Sequence, residues 1–360
     1  MTSSVKSVVV MAGGTGGHVF PALAVAEALR GKNVRIHWLG TRAGIEAELV
    51  PARGFDITYL DVSGVRGQGL SRLLLAPFKI VRAILSAMRT LRAVQADCVI
   101  GLGGYVTGPG GVAARLLGKP LIIHEQNAVA GFTNRQLSRM ATRVLEAFPG
   151  AFPASGKVQC AGNPVRADIA SLPVPEQRFA GRDGALRILV MGGSQGAVAL
   201  NELVPEALSI VARQVAIEIR HQAGKKNTAK AEARYQEVGV AADVLPFITD
   251  MAAIYGWADL VVCRSGALTV SELAAAGVGS VLIPYPFAVD DHQTANGRYL
   301  SDAGAALLFN QQGLTAETLA AELLPLMNRG ALLDMARKAR AKAQPESTDM
   351  VVAACLRGGK

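Results

Sequence analysis

The sequence predicts an α/β chain folded as two doubly wound domains, each built on a parallel sheet. Three observations carry that expectation. A strand that runs into a glycine loop and then a helix occurs twice, about half a chain apart. The first copy is Val8-Val9-Val10-Met11 before Gly13-Gly14-Thr15-Gly16-Gly17-His18, and the second is Ile188-Leu189-Val190-Met191 before Gly192-Gly193-Ser194-Gln195-Gly196. Each copy is followed by strand-like and helix-like segments in alternation, which implies right-handed crossovers within a parallel sheet. The chain also has 360 residues. At roughly 150 residues per domain that makes about two domains, each with a core large enough to need no disulfide or metal staple.

The elements follow in order. After the first glycine loop, Leu23, Ala26 and Leu29 recur at helical spacing. Strands are then expected near Arg35–Leu39, Asp56–Leu60, Cys98–Gly101, Pro120–His124, Arg143–Glu146 and Lys157–Ala161. After the second loop a helix runs through Leu203, Ala207, Leu208 and Val211. Strands follow near Ala216–Arg220, Asp243–Phe247, Leu260–Cys263, Ser280–Pro284 and Ala306–Phe309. These short β-branched runs lack clean alternation, as befits central parallel strands covered on both faces. Ser171–Ala185, with Pro173, Pro175 and Gly181, reads as a linker. The expected domains are residues 1–164 and 165–345. Residues 346–360 form a closing helix expected to pack back on the first domain.

Composition narrows the function classes. Apolar residues make up 50% of the chain and charged residues only 18%, which excludes a disordered chain. The 39 glycines have no three-residue period, which excludes collagen. Lys and Arg exceed Asp and Glu by 37 − 28 = 9, so the chain attracts phosphates of some kind: nucleic acid, anionic lipid or nucleotide. Aromatic residues are only 5%, with no basic-aromatic stacking surface, so no nucleic-acid partner is expected. The four cysteines contain no Cys-x-x-Cys pair, and three sit in apolar strand-like segments. They read as buried thiols in a reducing cytoplasm. Ser4–Ala12 reads as a strand and not as a signal peptide. The apolar runs Cys98–Ala114 and Leu273–Val289 are broken by glycines and by Pro109, Pro284 and Pro286, so neither reads as a membrane helix.

Glycine loops at strand ends let backbone N–H groups approach an anion, and the next helix adds its positive dipole end. A tight turn alone would also require such glycines. The dinucleotide fingerprint fails, because Val19 stands where a third glycine belongs and Trp38-Leu39-Gly40 ends without a ribose-binding acid. A Gly-Lys-Ser/Thr phosphate loop is absent as well. In Arg264–Glu272, a strand turns into a helix at Gly266. Glu272 then suits either the two hydroxyls of a ribose or the ordinary place of an acid near a helix N-terminus. Asp290-Asp291-His292-Gln293 pairs acid with histidine but lacks a third ligand at useful spacing. It reads as helix capping, and no metal or cofactor is expected. Between Asp61 and Asp97 no acid occurs. Arg66, Arg72, Lys79, Arg82, Arg89 and Arg92 interleave with Leu73, Leu74, Phe78, Ile80, Val81, Ile84, Leu85 and Met88, and Pro77 divides the stretch. Such a segment suits an anionic bilayer surface, or a core-packed helix with a solvated basic face.

Five motifs then occur in order: Gly13–His18, His124-Glu125-Gln126-Asn127-Ala128, Gly162-Asn163-Pro164-Val165-Arg166, Gly192–Gly196 and Arg264–Glu272. With them the chain resembles, over nearly its whole length, the peptidoglycan glycosyltransferases that add N-acetylglucosamine to lipid I to give lipid II. The resemblance implies two Rossmann-like domains of GT-B architecture facing a cleft. The first would take the lipid-linked acceptor and the second UDP-N-acetylglucosamine. It implies a peripheral enzyme on the cytoplasmic face of the inner membrane, with cell-wall synthesis proteins as partners and a place in cell shape and division. Carried over by motif, Ser194 and its loop would face the diphosphate, and Arg166 would approach the donor. The Ile248 backbone would meet uracil. Ala267, Leu268, Thr269, Val270 and Ser271 would line the nucleotide, and Glu272 would hold the ribose. Gln293 would bind sugar hydroxyls, with Thr15, Gly16, Gly17 and Asn127 meeting the sugar from the first domain. Where the family carries two adjacent glutamines, this chain has His292 before Gln293.

The implied reaction inverts the sugar and needs a base on the acceptor hydroxyl. His18 is the first candidate, because it closes the first glycine loop and histidine ordinarily titrates near 6.5. The other reading makes it a cap or a backbone hydrogen-bond partner. Glu125, also at a strand end, is the second candidate base. No Asp-x-Asp motif marks a metal at the diphosphate. Two other classes share this architecture: a nucleotide-sugar 2-epimerase and a non-catalytic sugar-nucleotide-binding subunit.

Overall fold

The computed structural model describes residues 5–62, 70–193 and 196–358. They fall into two units, Met1–Arg166 with Glu346–Lys360, and Ala167–Pro345.

The first unit begins with β1 (Ser7–Ala12), α1 (Gly16–Arg30), β2 (Arg35–Gly40), α2 (Glu46–Ala52), β3 (Asp56–Tyr59) and α3 (Leu70–Ala93). It continues with β4 (Cys98–Gly103), α4 (Thr107–Leu116), β5 (Leu121–Glu125), α5 (Phe132–Ser138), β6 (Arg143–Glu146) and β7 (Val158–Cys160). Its seven strands are all parallel, in the order β3-β2-β1-β4-β5-β6-β7. Successive side chains of a strand point to opposite faces, and β1 shows the consequence. Val8 and Val10 join a core with Leu23, Ala26 and Leu29 of α1, whereas Val9 and Met11 join one with Ala87 and Leu91 of α3 and Ala113 of α4. Helices therefore cover both faces, which is why the strands read as continuous apolar runs.

The second unit holds α6 (Ala167–Ala170), α7 (Pro175–Phe179), β8 (Leu186–Met191), α8 (Val198–Ala212), β9 (Ile217–Gln222), α9 (Thr228–Glu237), β10 (Asp243–Leu245) and α10 (Met251–Trp257). After them come β11 (Leu260–Cys263), α11 (Ala267–Ala276), β12 (Gly279–Leu282), α12 (His292–Ser301), β13 (Ala306–Leu308), α13 (Ala316–Leu323) and α14 (Arg329–Ala341). Its six strands run in parallel in the order β10-β9-β8-β11-β12-β13. Every expected strand is present. The expected Asp243–Phe247 strand stops at Leu245, because Pro246 has no N–H to give the ladder.

In both sheets the chain order reverses beside the first strand, between β1 and β4 and between β8 and β11. Loops at the C-terminal ends of these strands diverge there and leave room for a ligand. The two glycine loops leave β1 and β8 at those positions.

Three sequence expectations are corrected. Ser171–Ala185 is no loose linker. It forms α7, with Pro175 at its first position, and is strapped to the second unit by arginines. Arg178 donates to the carbonyls of Tyr255 (3.2 Å) and Gly277, and Arg182 donates to Gly256 O and pairs with buried Asp259. Pro77 does not divide the basic stretch, since α3 runs through it. A proline deletes one helical hydrogen bond, and Ala83, Ala87 and Leu91 hold the following turns on the core. Asp291 is not a side-chain cap. It stands before α12 in left-handed conformation (φ 49°), and its carboxylate accepts from the Thr294 hydroxyl at 2.7 Å.

The last helix, α15 (Ser347–Leu356), belongs to the first unit. Val351, Val352 and Cys355 enter the α1 core, and the Ser347 hydroxyl donates to Asn163 O at 2.7 Å. The Cys355 thiol meets that of Cys98 on β4. That hydrogen bond and burial push Cys355 well above the ordinary thiol range.

Candidate active site

The first glycine loop is set by a buried carboxylate. Glu46, fully inaccessible, accepts from Gly14 N (2.9 Å), Thr41 N (2.8 Å) and Thr41 Oγ1 (2.7 Å). A Cβ at Gly13, Gly40 or Gly44 would lie within 2.7 Å of this side chain. Gly14 turns the chain at φ +93°, a conformation that favours glycine. Thr15 is extended and makes no side-chain cap, and the first turn of α1 has no acid. The positive end of α1 therefore faces outward through Thr15, Gly16 and Gly17.

His18, half-buried, sits in the first turn of α1 against the end of β4. A Cβ at Gly103 (φ +112°) would come within 2.4 Å of its Nδ1. Its Nδ1 lies 2.9 Å from Oε1 of Gln126, whose Nε2 lies 3.0 Å from His124 Nδ1 and 3.3 Å from His124 O. His124 Nε2 lies 2.8 Å from Gly162 O. Gln126 and His124 are buried, and burial pushes the His124 pKa below the ordinary histidine value.

Glu125 ends β5 and is 2% exposed. One oxygen accepts from Asn127 N (3.0 Å) and Asn127 Nδ2 (3.2 Å), and the other from Gly131 N (3.1 Å) and Asn134 Nδ2 (2.9 Å). Its carboxylate shapes the loop after β5 and presents Asn127. Buried and four times hydrogen-bonded, it is poorly placed to meet an acceptor proton.

The second unit gathers the nucleotide-type residues at its own sheet edge. Gly192 N bonds to Gln222 O and continues the β8–β9 ladder, Gly196 N bonds to Gly193 O within the turn, and Gln222 Nε2 braces Gly193 O at 2.9 Å. Ser194 lies outside the described residues. Leu268, Thr269 and Ser271 are half-buried in the first turns of α11, whose N-terminus also carries Ala267. Val270 is fully buried, with its amide bonded to Gly266 O, so its side chain packs the core. The Ser271 hydroxyl is turned back to Ala267 O at 3.0 Å. Glu272 is held from below by the Tyr255 hydroxyl, which donates to it at 3.1 Å. Ile248 is half-buried in the segment after β10. Gln293 accepts from Tyr285 N at 2.9 Å through its carbonyl, so its amide group is the donor end. His292 donates through Nδ1 to Val289 O at 2.7 Å. Arg166 closes the first unit, half-buried.

Glu46 and Tyr255 do not stand out in the sequence as site residues, and Gln126 and Arg264 stand in its motifs without a role. Arg264 donates to Ile283 O and Pro284 O, both at 2.9 Å, and ties the turn before α11 to the end of β12. The one sequence signal for Glu46 is the set of glycines that its side chain displaces. Among the described residues no group of three or more metal-ligating side chains occurs, and no helix is long and apolar enough to cross a membrane.

Comparison with known proteins places this geometry. The model of the glycosyltransferase family 28 N-terminal domain matches residues 8–146, and that of the family 28 C-terminal domain matches 187–351. A Marinobacter nauticus protein is 54% identical over 347 residues, covering 96% of both chains. It is named UDP-N-acetylglucosamine–N-acetylmuramyl-(pentapeptide) pyrophosphoryl-undecaprenol N-acetylglucosamine transferase. The crystal structure of Acinetobacter baumannii MurG aligns with a TM-score of 0.86 at 48% identity, over 97% of this chain and 99% of that one. A Neisseria meningitidis UDP-GlcNAc 2-epimerase aligns with a TM-score of 0.66 over 96% of this chain and 98% of its own. At 14% identity it shares the fold alone.

Proposed function

The chain belongs to glycosyltransferase family 28, and from that premise we propose that it moves N-acetylglucosamine from UDP-N-acetylglucosamine to the C4 hydroxyl of the muramic acid unit of lipid I, giving lipid II. The observation that carries the reading is the 54% identity, along 96% of both chains, to a transferase named for that activity. The chain has the GT-B architecture of two parallel-sheet α/β domains.

The donor lies on the second unit. Glu272, steadied by Tyr255, accepts from the ribose hydroxyls, and the Ile248 backbone meets the uracil. Ala267, Leu268 and Thr269 line the nucleotide, and Gln293 offers its amide group to the sugar. The Gly192–Gly196 loop with Ser194 and the start of α8 face the diphosphate, and Arg166 adds positive charge. The first unit takes the acceptor and meets the sugar with Thr15, Gly16, Gly17 and Asn127. His18 accepts the C4 hydroxyl proton as that oxygen attacks the anomeric carbon opposite the leaving UDP. The C1–O bond to the diphosphate breaks, and the electron pair leaves with UDP, inverting the centre. Backbone amides and the helix dipole stabilise the growing negative charge electrostatically. Glu125 serves as the anchor of the loop that carries Asn127.

A bilayer-tethered acceptor calls for a membrane surface, and α3 supports one. Phe78, Val81 and Leu85 are exposed on one face, Phe78 at 76%, with Lys79, Arg82 and Arg89 exposed beside them. Ala83, Ala87 and Leu91 on the other face are buried. Arg66 and the side chains of Arg72, Leu73 and Leu74 lie outside the described residues. Apolar insertion flanked by cations binds anionic lipid at the cytoplasmic leaflet, which makes the enzyme peripheral there.

The deciding assay offers labelled UDP-N-acetylglucosamine and lipid I, with and without a chelator. Label is expected in the lipid product through a β-link, with chelator without effect. Label recovered in free or epimerised sugar, and none in lipid, would replace this reading by the 2-epimerase one.

A further inference from the structure

We propose that Gln126 and His124 are positioning residues that hold His18 as its Nδ1–H tautomer, so that its Nε2 carries the lone pair used on the acceptor hydroxyl. The catalytic half of this inference rests on the base role of His18 proposed above. The tautomer half stands on the hydrogen-bond geometry and the burial of His124.

Two backbone carbonyls, which can only accept, anchor the hydrogen-bonded chain. Gly162 O, 2.8 Å from His124 Nε2, requires a proton on that nitrogen. A neutral imidazole carries one N–H, so His124 Nδ1 is then an acceptor. His124 is fully buried, and burial favours this neutral form. The second carbonyl is that of His124 itself. Gln126 Nε2 sits 3.3 Å from His124 O and 3.0 Å from His124 Nδ1, two acceptors. Only the NH2 end of the amide satisfies both, so the two ends of Gln126 are not interchangeable. Its backbone is held as well, because Asn163 Nδ2 donates to Gln126 O at 3.0 Å. The amide oxygen is left facing His18 Nδ1 at 2.9 Å, and an oxygen there demands a proton on Nδ1. In the neutral ring Nε2 is then bare.

Free imidazole carries no such instruction, and a base protonated on the wrong nitrogen loses its function. A chain of donors anchored on Gly162 O thus does for His18 what a carboxylate does in a Ser-His-Asp triad. Gly103 completes the device, because a side chain there would strike the His18 ring at Nδ1.

The test is a long-range 1H–15N correlation spectrum of the imidazole rings at about pH 8.5, where an ordinary histidine is neutral. The chain has five histidines, so His18→Ala assigns its signals by difference. Native His18 is expected as the Nδ1–H tautomer. In Gln126→Leu it should shift toward Nε2–H, and kcat should fall roughly 10-fold to 100-fold, with the KM for UDP-N-acetylglucosamine changed less than about threefold. Gln126→Glu keeps an oxygen at Nδ1 and should keep the tautomer, but its second oxygen meets the two acceptors of His124 and carries a charge, so only part of kcat should return. The inference is overturned if native His18 is the Nε2–H tautomer, or if Gln126→Leu changes neither tautomer nor rate. It is equally overturned if both Gln126 variants, folded by thermal melt, lose the same activity with the tautomer intact. Full kcat in His18→Ala would remove the base role and the catalytic half with it, while the spectrum would still report on the tautomer.

Discussion

His18 owes its place to its neighbours more than to its own helix. The ring fits because β4 ends in Gly103, whose missing side chain leaves the space the imidazole occupies. If His18 is the base, His18→Ala should lower kcat about 10²-fold or more and leave the KM for UDP-N-acetylglucosamine nearly unchanged, as steady-state kinetics will read. Gly103→Ala should be nearly as damaging. It forces a Cβ onto Nδ1 from a backbone at φ +112°, which should also lower the melting temperature. On the other unit, Glu272→Gln keeps the Tyr255 contact but gives the ribose a weaker acceptor. Its mark should be a KM for UDP-N-acetylglucosamine raised about tenfold, with a smaller change in kcat. His18 and Glu272 were legible in the sequence because each follows a strand and glycine turn at a fixed distance. Whether Glu125 faced substrate or loop was not legible, because its four donors come from residues two to nine positions on, whose directions only the folded loop sets.

The glycine loop and the basic helix show how elements acquire a purpose from their surroundings. Gly13-Gly14-Thr15 is a flexible sequence, yet Glu46 pins it by taking the Gly14 amide. Replacing that carboxylate by alanine takes the acceptor from the part-buried Gly14 amide, at a cost of about 1 kcal/mol. Glu46→Ala should therefore raise the KM for lipid I more than that for the donor. Equal effects on both substrates would mean that the loop serves the fold alone. In α3, amphipathicity was plain from the spacing, but which apolar residues packed inward was not. The structure buries the alanines and Leu91 and exposes Phe78, Val81 and Leu85. Phe78→Ser with Leu85→Ser should reduce sedimentation with phosphatidylglycerol vesicles severalfold and leave turnover on a detergent-soluble acceptor intact. Binding indifferent to anionic lipid and to salt would defeat the membrane reading.

At the scale of the molecule, both units carry buried histidines kept neutral. In the second unit His221, flanked by the Tyr235 hydroxyl and Asn201 Oδ1 at 3.0 Å each, is drawn down by burial to about 4. In the first, His124 is drawn down by the same cause. The unfolded chain takes up these protons near pH 6.5 and the folded chain does not. The stability they confer is thus complete above about 6.5 and declines as the pH falls below it, for His221 down to about 4. For His221 alone the loss is roughly 2–4 kcal/mol. Urea midpoints should fall across that interval, and His221→Gln, weaker at neutral pH, should show a shallower fall. A flat profile in the native protein would contradict the assignment.

The sequence by itself determined the doubly wound fold, the positions of its strands and the two glycine turns that follow β1 and β8. Strand burial, glycine turns and crossover handedness are local or topological rules, and they act through short stretches of chain. Tertiary structure alone decided which polar groups are spent on the scaffold and which are left for chemistry. Glu46 reaches back to Gly14, Gly162 O orients His124, and Arg178 and Arg182 bind a supposed linker to carbonyls more than seventy residues away. Those bonds join segments far apart in the chain, and a buried polar group takes its partner from whatever the packed fold brings within about 3 Å.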